Sequence, residues 1–361
     1  MSAVGRGGLH RRGRGPLRLI WLVLLVLALG VGAVYVRIRL DRNETAAGSK
    51  RSATAVPRAT TAATPSPSPS PSPTEPPRGA LVVHATGDVN MDPSYITNFQ
   101  TRGFEYAWSG LDGLFRRDDL TVINLECAVS TIGSPVPKEF TFRGDPASLP
   151  VMHDAGVEVA DLGNNHSGDF GPAALLDTRA NLEANDIAAV GAGRDDVEAH
   201  APALFDVNGW TIAVLGFGGV VPAPDWIAGP GHPGMADGDD VPSMVAAVKA
   251  ADRVADLVFV AIHWGVELDL TPRADDVARA HAMIDAGADA IFGHHTHRLN
   301  PMDTYKGRPI FWSLGNFVWP NFSVAGATTA VAEVRVRPNG KITGRLLPAF
   351  IEDAGHPVLT G

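Results

Sequence analysis

Three imidazoles, His294, His295 and His297, fall within four positions directly after the apolar run at residues 288–292. Neutral imidazole nitrogen suits Zn, Fe and Mn, and a His-x-His spacing lets two rings reach one ion. A solvated turn that happens to be rich in histidine is the alternative, and the cluster alone does not separate the two. Four other apolar runs end in groups of the same kind. ALVVHAT (80–86) leads into Gly87, Asp88, Val89 and Asn90, and LTVI (120–123) into Asn124, Leu125 and Glu126. VEVADLG (157–163) leads into Asn164, Asn165, His166, Ser167, Gly168 and Asp169, and LVFVAI (257–262) into His263, Trp264, Gly265, Val266 and Glu267. One polar residue after a strand is ordinary loop chemistry. Five such ends, all with metal-ligating side chains, are hard to obtain from loops chosen for solubility. A carboxylate bridge with His, Asn and Asp partners can hold two ions, which orient a water and neutralise charge developing on a phosphoryl or acyl oxygen.

Those groups converge only if the runs are neighbouring strands. Apolar runs of strand length occur at 80–85, 120–123, 157–162, 211–215, 257–262, 288–292 and 310–312. Helical patterns lie between them at 104–116, 172–185, 241–253 and 272–286, the last with Thr271 as N-cap and Pro272 at the first helical position. This alternation predicts an α/β domain whose strands are buried on both faces. In such sheets ligands bind outside the carboxyl ends of the strands, which is where the five groups fall. Residues 330–337 and 341–346 read as a closing antiparallel pair.

The N-terminal part follows another regime. Residues 1–18 are basic, and residues 19–36 form an 18-residue run without a charge, long enough to cross a bilayer as a helix. Arg6, Arg11, Arg12, Arg14 and Arg18 precede it and favour a cytoplasmic N-terminus, although Arg37, Arg39 and Arg42 follow. The reading is an uncleaved signal-anchor, with a cleaved signal peptide as the alternative. Residues 37–78 turn to Ala, Thr, Ser and Pro, ending in repeated Ser-Pro that supports neither helix nor sheet, and read as a disordered stalk. Residues 79–361 then form an extracytoplasmic domain on a single-pass membrane protein. Residues 1–78 carry 12 Lys and Arg against 3 Asp and Glu, whereas the remainder carries 18 against 36. So acidic a body argues against nucleic acid as a partner. The one cysteine, Cys127, excludes an internal disulfide and reads as a small packed residue.

The ordered set GD (87–88), NLE (124–126), NNHSGDFG (164–171), HWGVE (263–267), GHHTH (293–297) and SLGNF (313–317) resembles the bacterial capsule-synthesis CapA family, linked to poly-γ-glutamate capsules. That family is similar to the calcineurin-like metallophosphoesterases, and the resemblance spans about residues 81–317. It implies a layered α/β sandwich of the metallo-dependent phosphatase kind and a pair of divalent transition ions (Mn, Fe or Zn). It implies Asp88 and His297 as ligands of the first ion, Glu126 as the bridge, and Asn165, His263 and His295 as ligands of the second. His166 would contact the phosphoryl or leaving-group oxygen, and His294 would lie outside the ligand set. The chain departs from the metallophosphoesterase pattern at Asn90, where Asp-x-His is usual, and at Glu126, where Asp is usual.

Supporting residues carry two readings each. Asp169 either orients His166 or shapes the turn before Pro172. Glu267 is a partner for His263 or a solvated loop acid. Arg143 is an anion clamp or a surface residue. Asn316 borders the site or makes a turn, and Asn90 is counted with these three on the substrate side. Trp264, Trp312 and Trp319 flank the motifs and are expected to wall the crevice. The expected function is two-metal hydrolysis of a phosphate ester or diester, or of a polymer amide, in the metabolism of an anionic cell-envelope polymer or its phosphorylated precursor. The alternative is a non-enzymatic assembly or export factor with a degenerate metal site, working with a membrane synthase or export partner.

Overall fold

The computed structural model describes residues 77–361, so the expected anchor and most of the stalk lie outside the described residues. Among the described residues no helix is long and apolar enough to cross a membrane. The unbroken apolar runs are explained by two sheets stacked face to face with helices outside them. The first sheet has eight strands: β1 (Leu81–Val89), β2 (Leu120–Leu125), β5 (Val159–Asp161), β6 (Ala188–Val190), β15 (Asn316–Val318), β16 (Thr328–Val336), β17 (Ile342–Asp353) and β18 (His356–Leu359). The second has six: β8 (Ala203–Val207), β9 (Trp210–Gly218), β11 (Leu257–His263), β12 (Ala290–His294), β13 (Met302–Tyr305) and β14 (Arg308–Phe311). Two short pairs, β3 (Ala128–Val129) with β4 (Arg143–Gly144) and β7 (Ala192–Gly193) with β10 (Gly234–Met235), brace the loops.

Strand β11 shows how the period of two is used. Leu257, Phe259 and Ala261 enter the core between the sheets beside Val83, Val122 and Phe292. Val258, Val260 and Ile262 face outward onto Met244, Val248 and Met283. These last residues belong to α2 (Val241–Asp252) and α3 (Ala274–Ala286); α1 (Pro172–Glu183) covers the other sheet with Leu175 and Leu182. A strand covered on both sides has no polar face to show, hence the continuous runs.

Each sheet is parallel at its centre: β1, β2, β5 and β6 in the first, β9, β11, β12 and β14 in the second. Their carboxyl ends therefore open on one side. Pairing places Asp88 opposite both Asn124 and Asn316, and His263 opposite His294. The expected closing pair is β16 and β17, antiparallel to each other, with β16 antiparallel to β1.

Two expectations need correction. Residues 104–116 are not a helix: only Tyr106–Ser109 completes a turn, because Asp112 and Gly113 take φ values of 50° and 66°, which a right-handed helix cannot contain. Helix α3 starts at Ala274, two residues later than expected. Its cap is Arg273, whose backbone N–H donates to Asp276 Oδ2 at 3.3 Å, so Thr271 does not cap it. The core between the sheets carries much of the stability. Phe259→Ala is expected to lower unfolding free energy by about 3–5 kcal/mol, read from urea denaturation of the full chain.

Candidate metal centre

The site lies where the carboxyl ends of β1, β2, β11 and β12 meet the loop after β5. Its centre is Glu126, fully buried, with neither Oε1 nor Oε2 in any hydrogen bond. Around Oε1 stand His263 Nε2 at 3.6 Å, His297 Nε2 at 3.9 Å and His166 Nε2 at 4.0 Å. Among the described residues two groups of ligand atoms are compact enough to hold an ion, Glu126 with His263 and His295, and Asp88 with Glu126 and His297. Glu126 belongs to both. A buried carboxylate with two bare oxygens among imidazoles is unfavourable without a cation, so the residues present fit a metal pair sharing that carboxylate.

The remaining proposed ligands are at hand. Asn165 Oδ1 lies 2.8 Å from His263 Nε2, and His295 Nδ1 lies 3.1 Å from the same atom. Asp88 Oδ2 is 3.0 Å from His297 Nδ1. Both His295 and His297 have positive φ, 88° and 53°. Non-glycine residues reach this region at a cost, and here it turns two rings of one short stretch inward. Glycine at 87 is required for a different reason: a Cβ there would collide with the carbonyl of Gly315, which accepts the Asp88 N–H at 2.9 Å.

Charge follows burial. Burial and the neighbouring Asp88 push the Glu126 carboxyl well above its usual range. Burial, reinforced by His295, drives His263 well down, and burial with His297 brings His295 to about 4. Burial alone would lower His297 too, but Glu126 and the Asp88 contact raise it to about 9. Burial also opposes ionisation of Asp88, yet its contact with His297 leaves it lowered overall. The cluster thus combines neutral imidazoles with a proton-holding Glu126–His297 pair.

Partners outside the ligand set hold it in place. The Asn124 side-chain amide donates to Asp88 Oδ1 at 2.9 Å and sits 3.2 Å from His263 Nδ1, joining the two sheets. Asn164 donates to Asn124 Oδ1 and accepts the backbone N–H groups of His166 and Ser167, so Asn164 builds the loop and Asn165 faces the cluster. Asn316 lines the cleft and its Oδ1 lies 2.8 Å from His297 Nδ1, orienting that ring. His294 sits outside the ligand groups, its Nε2 3.0 Å from the Thr86 carbonyl. Asp169 Oδ2 lies 2.7 Å from His166 Nδ1 and also accepts the Phe142 N–H, so it both orients His166 and ties down the loop.

Lys138 was passed over in the sequence. Its Nζ lies 2.6 Å from Asp169 Oδ1 and 3.1 Å from His166 Nδ1, and it also donates to the Asn165 carbonyl. It lies in a Pro-rich stretch with no periodicity, so nothing in the pattern singles it out. Arg143, by contrast, is not brought to the cluster. Its guanidinium donates to the carbonyls of Ser130, Ile132 and Gly133 and lies over the Phe170 ring. The arginine at the cleft is Arg298, which donates to the His297 carbonyl. Glu267 lines the cleft mouth, and the side-chain partner of His263 Nδ1 is Asn124 instead. Asn90 is buried: its Oδ1 accepts the Asp92 N–H at 2.9 Å, and its Nδ2 has no partner. Of the three tryptophans, Trp319 walls the cleft, while Trp264 and Trp312 are packed beneath the second sheet, Trp264 Nε1 donating to the Trp312 carbonyl. Cys127 is packed, its Sγ accepting the Met91 N–H.

Metal uptake must displace the proton that Glu126 and His297 hold between them. Loading the full chain near pH 7 is expected to release roughly one to two protons. Apparent affinity should rise with pH until His297 is deprotonated, near pH 9 in the metal-free state. Calorimetric titration in buffers of different ionisation enthalpy measures this. A His295→Ala, His297→Ala double variant should retain no tightly bound metal.

The comparisons agree with the motif order. The model of the family described as bacterial capsule synthesis protein matches residues 82–321. The chain is 31% identical to the PGA biosynthesis protein CapA of Bacillus subtilis over 74% of this chain and 71% of that one. It is 35% identical to the capsule biosynthesis protein CapA of Bacillus anthracis over 78% and 70%. Among solved structures it is similar to a hypothetical protein from Thermus thermophilus, with a TM-score of 0.48 and 17% identity over 74% of this chain and 99% of that one. No chemistry is transferred at that distance. With two thirds of its length matched by the family model, and with these relatives aligned over most of both chains, the protein belongs to the bacterial capsule synthesis (CapA) family.

Proposed function

We propose that this protein is a metal-dependent hydrolase of phosphate esters or diesters that serves the synthesis of a capsular, poly-γ-glutamate-like polymer from an extracytoplasmic, membrane-anchored position. The observation that carries the chemistry is Glu126, whose two bare oxygens are shared by two ligand groups. The polymer comes from the family and from the names of the Bacillus relatives. The anchor rests on the uncharged run at residues 19–36.

A divalent pair bound there would supply Lewis-acid charge at a phosphoryl oxygen and acidify a water. Asp88, Glu126, Asn165, His263, His295 and His297 would hold it. His166 is placed to move a proton: Nδ1 is engaged by Asp169, which leaves Nε2 directed to the cluster, where in the neutral ring it can accept a proton from an attacking water and, once protonated, pass it to a leaving oxygen. Burial lowers the His166 pKa against the pull of Asp169, so burial favours the neutral ring.

A second reading, a non-enzymatic assembly or export factor for an anionic polymer, is favoured by Asn90. Asn90 Oδ1 already accepts the Asp92 N–H, and an amide oxygen is a weaker ligand than the imidazole that metallophosphoesterases place there. The first ion is then left with Asp88, Glu126 and His297.

The full-length protein should be isolated with bound transition metal and assayed on bis(p-nitrophenyl) phosphate and on poly-γ-glutamate. Turnover of the diester is expected. Glu126→Gln should lose both metal and turnover, whereas His166→Asn should keep the metal and lower kcat by about 10²–10⁴-fold. A metal-free wild-type protein inactive on both substrates would establish the assembly-factor reading instead.

A further inference from the structure

Above the candidate metal centre the cleft opens to about 230 Å³, and aromatic and aliphatic side chains make up most of its wall. Phe142 lies 4.4 Å from the His166 ring and Trp319 lies 4.9 Å from the His297 ring, centroid to centroid, so the aromatic lining begins at the site itself. It continues outward. Ten large apolar side chains stand exposed among the described residues, and six of them, Phe140, Val266, Leu268, Leu270, Phe322 and Val324, belong to the three segments that frame this mouth. Phe140, Leu268 and Phe322 line the cleft directly, at 55%, 58% and 75% exposure. Exposed apolar surface concentrated at one opening marks a place that water leaves when something binds.

Charge at the mouth excludes the obvious guest. Arg298, Glu267 and the His297 ring line it, with no row of cations leading outward. Lys138 is committed to Asp169, and Arg143 to the carbonyls of the 130–133 loop. A chain bearing a carboxylate at every residue finds no cationic track here, and the acidic body repels it. A flat ring is also poorly served. Tyr95 and Phe142 each meet Trp319 edge to face, at 78° and 82°, so these rings do not form a parallel pair able to sandwich a base or sugar.

We propose that the mouth is a subsite for a flexible hydrocarbon chain, so that the substrate is an amphiphile: a phosphoryl head at the metal cluster and an apolar chain leaving over Phe140, Leu268 and Phe322. This rests on the phosphoryl-hydrolase reading above. The same chain carries an uncharged 18-residue run at residues 19–36, a sequence suited to keeping a domain beside lipid.

Binding to the Mn²⁺-loaded full-length protein tests this without turnover. Methylphosphonate, phenylphosphonate and octylphosphonate would be titrated calorimetrically, the last below its micelle concentration. Octylphosphonate is expected to bind at least about tenfold more tightly than methylphosphonate, with phenylphosphonate between them. A Phe140→Ser, Leu268→Ser, Phe322→Ser variant should bring octylphosphonate to within about twofold of methylphosphonate. All three positions are solvent-exposed, and metal content with circular dichroism checks the fold of the variant. Equal binding of methyl- and octylphosphonate overturns the chain subsite and leaves the metal reading standing. Phenylphosphonate binding as tightly as octylphosphonate overturns it in favour of a ring. Binding of none of the three overturns the phosphoryl reading itself and this inference with it.

Discussion

A carboxylate taken wholly out of water and given no hydrogen-bond donor is among the least favourable arrangements a protein can contain, and the structure holds one at its functional centre. Glu126 follows β2, and its backbone N–H is secured by the Val89 carbonyl, so the side chain cannot withdraw to solvent. Three imidazole nitrogens within 4.0 Å surround one of its oxygens. Only a proton or a cation relieves this, and the neighbours are suited to a cation. Two of these imidazole groups are held neutral by burial, and a third, His297, shares the proton that a metal would replace.

The two-sheet architecture exists in a form that serves this centre. The candidate ligands come from both sheets, and neither sheet alone brings them together. The Asn124 amide, touching Asp88 on one sheet and His263 on the other, is the polar link across that boundary. Below it Val83, Val122, Phe259 and Phe292 fill the space between the sheets. The polar groups are confined to the open end, where the backbone leaves the ladders and can take the left-handed turns at His295 and His297. Loops without ladder constraints tolerate such conformations, which cost roughly 1–3 kcal/mol each.

Around the ligands lies a shell whose role is orientation. Asp169 fixes His166, Asn316 fixes His297, and Lys138 ties Asp169 to the Asn165 loop. Beyond that shell the character changes to aromatic and aliphatic. The centre is polar and the mouth above it is mostly apolar.

What the sequence by itself determined is the order of the strand ends and the polar groups that follow them. A run buried on both faces is written as a run of apolar residues, and the polar group after it marks the carboxyl end, so the five groups that contain Asp88, Glu126, Asn165, His263, His295 and His297 could be read from the sequence, while the choice of these members as candidate ligands came from the family resemblance. Family motifs in the same order added the roles. Tertiary structure alone decided the partners. Arg143 and Lys138 are five positions apart in one irregular segment, and nothing local says that the lysine turns to the His166 loop while the arginine caps carbonyls. Trp264 and Trp312 flank the same motifs as Trp319, yet only Trp319 reaches the cleft, because the alternation of faces sends the other two beneath the sheet. The helix expected at 104–116 failed for a related reason: Asp112 and Gly113 take left-handed angles that no hydrophobic pattern records. Periodicity reports which face is covered. It does not report what an irregular segment touches, because those contacts join residues far apart in the chain.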